Sequence, residues 1–267
     1  RASVPRRESL GGGFRPSADF SAVTVSDVVR PAVVDLSDAM LDPDGLLTAI
    51  RMRFPEEVET READTADACD RLAAFVNDPE ARADGVAYDR IPPEAMIVCG
   101  EAAGKADPDP VTLFQLARAA TLHAPERADE TARLLAGLAD QGYAAAGYTL
   151  AVLMLQGRAP GDKQALIRRL REAAEGGAGI AWIVLSRMAD AGHLDETSGD
   201  LLQKGVDAGL PAVLEHRARA LARDGNDFRA AAAMARRAAE AYLSRHQSTA
   251  AENLVERSAA YARRSRR

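Results

Sequence analysis

The chain has 267 residues and a net charge of −6, with 34 Lys and Arg against 40 Asp and Glu, which argues against a general nucleic-acid binder, because those carry a basic footprint. At 47% hydrophobic and 28% charged it holds enough apolar material for a real core, which excludes wholesale disorder. Only 4% is aromatic, alanine recurs in runs such as Ala230 to Ala233, and no stretch approaches the roughly 20 apolar residues of a membrane-spanning helix; the composition points to closely stacked helices rather than a sheet.

Residues 1–19 are polar and rich in arginine, with Gly11-Gly12-Gly13, and read as a flexible arm. The chain begins at Arg1 and residues 1–16 lack the apolar run of a signal peptide, which leaves open a cleaved leader or a shortened chain. Val23, Val25, Val28, Val29, Val33, Val34 and Leu36 form an apolar stretch broken at Pro31, and Leu46, Leu47 and Ile50 show a short helical spacing. The expectation for residues 1–60 is an irregular, partly extended arm that packs on its own body or docks onto a partner.

From residue 64 the pattern turns helical. Asp64 or Thr65 caps a helix through Phe75, stopped by Asn77-Asp78-Pro79. Pro92-Pro93 opens the next helix, which runs to about Gly104. The stretch Asp107-Pro108-Asp109-Pro110 reads as a rigid polar linker before a helix from about Val111 to Leu122; as a calcium site it lacks the longer ligand series of an EF-hand. Residues 61–110 are thus expected to form an N-terminal helix pair.

A repeat then emerges. Ala146 to Gly157 and Ala181 to Gly192 align at an offset of 35, each with Ala first, Leu four later, a small residue next and Gly at the end. A weaker copy ends at Gly225, and upstream Leu116-Ala117 matches Leu150-Ala151 at an offset of 34. Second helices alternate with these, over Glu126–Asp140, Lys163–Glu175, Glu196–Asp207 and Phe228–Tyr242, and they close on the glycines Gly142, Gly177 and Gly209. A glycine just past a helix takes the left-handed conformation that satisfies the last carbonyls. A period near 34 is one helix hairpin per unit, and such a unit buries its apolar face only by stacking on its neighbours. Ser248 to about Arg264 reads as a closing helix capped by Ser248 or Thr249, with its basic end toward water. Residues 111–245 are expected to be the repeats and 246–267 the terminal cap, in an all-α, right-handed α/α solenoid.

The residues Ala146, Leu150, Ala151, Leu153, Gly157, Ala173, Ala174 and Gly177 resemble the Sel-one-like repeat family, relatives of the tetratricopeptide repeats. The usual aromatic of the second helix is replaced by Ile167 or Leu170, and the copies after residue 192 are degenerate. A second stretch, from Cys69-Asp70-Arg71-Leu72 through Cys99-Gly100-Glu101 to Phe114-Gln115-Leu116, is similar to the front end of exported alphaproteobacterial members of that family, in which two cysteines recur around a short loop. The resemblance implies export to the periplasm or beyond and adaptor roles in envelope, motility or secretion complexes. In an oxidising compartment Cys69 and Cys99 form a disulfide; in a cytosolic core they are two buried thiols. The absence of a CxxC motif speaks against a redox or zinc role.

No catalytic constellation stands out. His123, His193, His216 and His246 form no HExxH and read as solvated or capping residues; there is no GxSxG, and the three early glycines lack the Lys-Ser/Thr of a phosphate loop. No metal or cofactor is expected. Trp182, Tyr148 and Met188 fall at positions that face neighbouring helices, as core or as groove anchors. The expected function is a non-enzymatic protein-interaction scaffold or adaptor gripping protein partners on the concave face of the first helices, with Tyr148, Arg187 and Arg217 as candidate contacts. The alternatives are a structural subunit of an envelope or motility complex docked through its arm and, further off, a hydrolase acting on cell-wall ligands.

Overall fold

The computed structural model describes residues 65–105, 107–225 and 227–266. The expected arm over residues 1–60 and the Asp64 cap lie outside these residues. Among those described there are eleven α-helices and no strand: α1 (Thr65–Ala73), α2 (Glu94–Ala103), α3 (Pro110–His123), α4 (Ala128–Asp140), α5 (Ala144–Leu155), α6 (Lys163–Glu175), α7 (Ile180–Asp190), α8 (Ser198–Asp207), α9 (Pro211–Arg223), α10 (Phe228–Leu243) and α11 (Ser248–Arg264). Each packs on the next, and α1 also reaches α3 and α7 reaches α9.

Local chemistry sets the ends of these helices. Asp109, Asp162, Thr197 and Asp227 are N-caps whose side-chain oxygens accept from the backbone N–H three residues on. The Asp-Pro linker therefore ends as a cap, Asp109 taking Thr112 N–H at 3.0 Å. At the C-termini Gly142 (φ 90°), Gly157 (68°), Gly177 (99°), Gly192 (74°) and Gly209 (67°) all occupy the left-handed region expected of them. Gly225 does not, and α9 is closed by Asp224 at its C-cap, whose N–H reaches Ala220 O. Nor does Ser248 or Thr249 cap α11: Gln247 holds the N-cap position, and Thr249 turns to Asp84 instead.

One large core runs from α3 to α11, and a smaller one surrounds Cys69, Ile91, Met96, Ile97 and Leu116. The sulfurs of Cys69 and Cys99 are at bonding distance, with Cα atoms 4.8 Å apart, and both residues are fully buried in the smaller core. Alanines at one face of α10, Ala231, Ala235, Ala238 and Ala239, are buried, and the absence of longer side chains there lets α10 lie close to α9 and α11.

α1 stops two residues short of Phe75. Arg118 on α3 takes over the carbonyls that further helix would have used: its Nη1 donates to Ala73 O and Ala74 O, both at 2.6 Å, and its Nη2 donates to Val86 O at 3.1 Å. Freed from the helix, Phe75 stacks on Tyr148 at 5.8 Å, and the Arg118 guanidinium lies over the Phe75 ring, 5.0 Å from its centre. The α1–α2 connection, residues 74–93, then runs along the helical array to its far end. Asp78 accepts from Tyr143 Oη, Gln247 accepts from Gly85 N–H and donates to Ala83 O at 2.7 Å each, and Asp84 accepts from both the N–H and the hydroxyl of Thr249. The connection thus ties the beginning of the described chain to α11.

Candidate functional site

Many of the side chains that line two cavities together with this connection come from one recurring helical position. On α5 they are Tyr148, Thr149 and Val152; on α7, Ile183, Val184 and Arg187; on α9, Glu215, His216 and Arg219. Residues at i and i+4 lie one above the other on a helix, and i+1 stands about 100° round at the edge of that face. The three sets therefore form one surface, crossed by Phe75, Val76 and Asn77, with a cavity on either side and Ile180 bordering both.

The first cavity, of about 140 Å³, is walled chiefly by Phe75, Tyr88, Tyr148, Val152, Leu153 and Ile180. This is close to the volume that admits a benzene-sized group into an apolar protein cavity. Tyr148 is only 4% exposed, and its hydroxyl is buried without a hydrogen-bond partner. Burial pushes its pKa above the ordinary tyrosine value, partly opposed by the positive charge of Arg187.

The second cavity, of about 590 Å³, lies between α7, α9, α10 and α11, and its charged lining is Arg187, Glu215, His216, Arg219 and Arg257. Glu215 gathers the local donors: Arg219 pairs with it, Arg257 Nη1 donates to it at 2.9 Å, and Tyr242 Oη does so at 3.4 Å. His216 is half-buried, and its pKa is held below the usual histidine value, first by burial and then by Arg187, Arg223, Arg219 and Arg217. Asn77, at the edge of this cavity, has a buried Oδ1 without a partner.

Of the expected contacts, Arg187 lines the second cavity. Tyr148 forms the wall of the first but is buried rather than exposed, because Phe75 lies flat on its ring. Arg217 is exposed and lines neither cavity; its charge is felt there only through His216. The equivalent of Arg187 on α9 is Arg219. The turn glycines carry the signal: Gly142 and Gly177 are 35 apart, but Gly177 and Gly209 are 32 apart, and Arg219 stands 32 after Arg187. The last unit is three residues shorter, which moves the inward position back from Ala222, where an offset of 35 would put it, to Arg219. Trp182 and Met188 are buried among the helices. His216 lines the second cavity rather than standing in solvent, and His123 lies with Nε2 2.8 Å from Ile91 O. Among the described residues no group of three or more His, Cys, Asp or Glu is arranged to hold a metal ion, and no helix is long and apolar enough to cross a membrane.

Comparisons with protein-family models, with curated proteins and with solved structures found no match.

Proposed function

We propose that this protein is a non-enzymatic scaffold that holds partner proteins on the inner face of a right-handed α/α solenoid, built of helix hairpins akin to the Sel-one-like and tetratricopeptide repeats and working in the bacterial envelope. One observation carries the reading: the alternate helices α5, α7 and α9 offer the same three-residue position to one continuous surface, which opens on two adjoining cavities. A surface built by repetition suits an extended partner, since each unit adds a further stretch of contact. The turn glycines at offsets of 35 and 32 support the hairpin-repeat reading. The Cys69–Cys99 pair supports a place in an oxidising compartment, where disulfides persist.

The test is site-specific photo-crosslinking in the native host. A photoreactive residue placed at Gln156 or Asn253, both exposed and each lining one cavity, is expected to capture a discrete protein. The same residue at Arg236, exposed on α10 and outside both cavities, is not. Equal capture at all three positions, or none at any, would overturn the proposal.

A further inference from the structure

The first cavity holds a charge that nothing in its wall answers. Arg118 on α3 is the one charged side chain in that wall, is 4% exposed and makes no ion pair among the described residues. Three of its five N–H groups go to Ala73 O, Ala74 O and Val86 O, which leaves Nε–H and one Nη2–H without an acceptor there. Asp78, whose charge Arg118 feels without contact, is engaged by Tyr143 Oη and the Glu80 N–H instead. Burial lowers the pKa of Arg118 to about 10, so the guanidinium is still charged at neutral pH. A buried cation is costly without an anion, and the carbonyl dipoles and the face of Phe75 offset only part of that cost. The hydroxyls in the same wall are already used: Tyr88 donates to Thr121 at 2.9 Å, Thr121 to Arg118 O at 2.7 Å, and Thr149 to Ala145 O at 2.9 Å. Apart from the exposed Gln156, the rest is apolar, the rings of Phe75, Tyr88 and Tyr148 with Val152, Leu153 and Ile180.

We infer that this cavity is a small-molecule site for an aromatic carboxylate of the size of benzoate, its ring among Phe75, Tyr88, Tyr148 and Val152 and its carboxylate on the free N–H groups of Arg118. The volume of about 140 Å³ fits one six-membered ring, since an apolar cavity of about 150 Å³ takes up benzene. A neutral ring would fill the walls and leave the cation unanswered; a bare inorganic anion would answer the cation and leave the walls empty. One molecule that carries both groups meets both needs. Phe75 and Tyr88 belong to the α1–α2 connection, outside the hairpin repeats, so the enclosure is made by this chain's own loop and not by the stacked helices alone. The site needs no partner protein and goes beyond the scaffold reading.

Titration of the full chain with benzoate, benzyl alcohol, benzylamine and acetate, followed by ligand-observed NMR, tests this. Because Arg118 also holds the connection, the ligands rather than its removal carry the decision. Benzoate should bind at one site with a Kd on the order of 0.1 mM. Benzyl alcohol, with the ring but no charge, should bind about ten-fold more weakly, the scale of one charged hydrogen bond. Acetate, with the charge but no ring, should also be weaker by about ten-fold or more, and benzylamine should not saturate. Added salt should change the benzoate affinity little, because an enclosed pair is screened far less than an exposed one. Val152→Phe and Ile180→Phe, both at half-buried positions in the wall, fill the cavity and should each abolish benzoate binding in a chain that melts like the wild type. Arg219→Gln, in the second cavity, should leave it unchanged. Benzyl alcohol binding as well as benzoate, no saturation by benzoate, or binding that survives both filled variants would overturn the inference and leave the scaffold reading untouched. Tighter binding of N-acetylphenylalanine than of benzoate would assign the cavity to the end of a protein chain and overturn it too. Failure of the crosslinking at Gln156 and Asn253 tells against the scaffold reading alone.

Discussion

The carboxyl of Asp78 and the hydroxyl of Tyr143 lie 2.5 Å apart, joining the α1–α2 connection to the residue that precedes α5, 65 positions later in the chain. Asp78 is only 1% exposed, and burial raises its pKa above the ordinary aspartate value, against the lowering effect of the Tyr143 bond. A carboxyl whose folded pKa is raised contributes most to stability below its unfolded pKa, and that contribution is lost as pH rises through the folded value.

Tyr143→Phe removes the donor and leaves the ionised Asp78 more costly to bury. We predict a loss of roughly 1–3 kcal/mol at neutral pH. The loss should shrink as pH falls and Asp78 becomes protonated. Urea titrations of both proteins at neutral and mildly acidic pH measure this; a penalty that grew toward acid would contradict it.

Arg118 is the second anchor of the connection. It is 4% exposed, its pKa is lowered to about 10 by burial, and it serves three carbonyls. Arg118→Met removes the charge but leaves Ala73 O and Val86 O without its donors and Ala74 O with only the Val86 N–H, at a cost of about 2–4 kcal/mol. Hydrogen exchange should accelerate at the Gly85 and Val86 amides, whose bonds to Gln247 and Ala74 depend on the same loop path. Amides within α6 should be far less affected.

Cys69 and Cys99 close a loop of 30 residues. Chain entropy assigns such a cross-link about 3–4 kcal/mol. Reductant should lower the melting temperature of the wild-type chain and leave Cys99→Ser unchanged. A non-reducing mass should lie two hydrogens below that of the reduced chain.

Two helical glycines should respond in opposite directions to alanine. At Gly205 on α8 an added Cβ would lie 2.6 Å from Val213 Cγ2 and 3.1 Å from Trp182 Cδ1. Overpacking there costs about 1–3 kcal/mol, more than the roughly 1 kcal/mol gained in helix propensity. At Gly137 on α4 nothing stands within 4 Å, so Gly137→Ala should stabilise by about 0.5–1 kcal/mol. Thermal melts of the two variants settle the comparison.

Much of the candidate site was half-visible in the residues. Arg187 was legible from its place in the aligned repeat, and Arg219 was recoverable from the shortened spacing between Gly177 and Gly209. Arg257 was not, because α11 carries no copy of the repeat and only its packing on α10 brings that guanidinium to Glu215. Tyr148 was legible as facing its neighbours, as core or as groove anchor, but not its stacking with Phe75, which reaches it only after α1 ends early.

The sequence by itself determined the helices and the turn glycines Gly142, Gly157, Gly177, Gly192 and Gly209, because helix hydrogen bonds and their closing turns act within about four residues and leave their mark in local spacing. Only the tertiary structure decided the path of residues 74–93 and the two cavities beside it. Asp78, Asp84 and Gln247 look like ordinary surface residues in a polar stretch. Asp78 and Gln247 are buried because distant segments supply their partners, and Thr249 finds Asp84 across 165 positions. A polar side chain gives no sign in its own neighbourhood of a partner that far away, and burial without one would be too costly to occur.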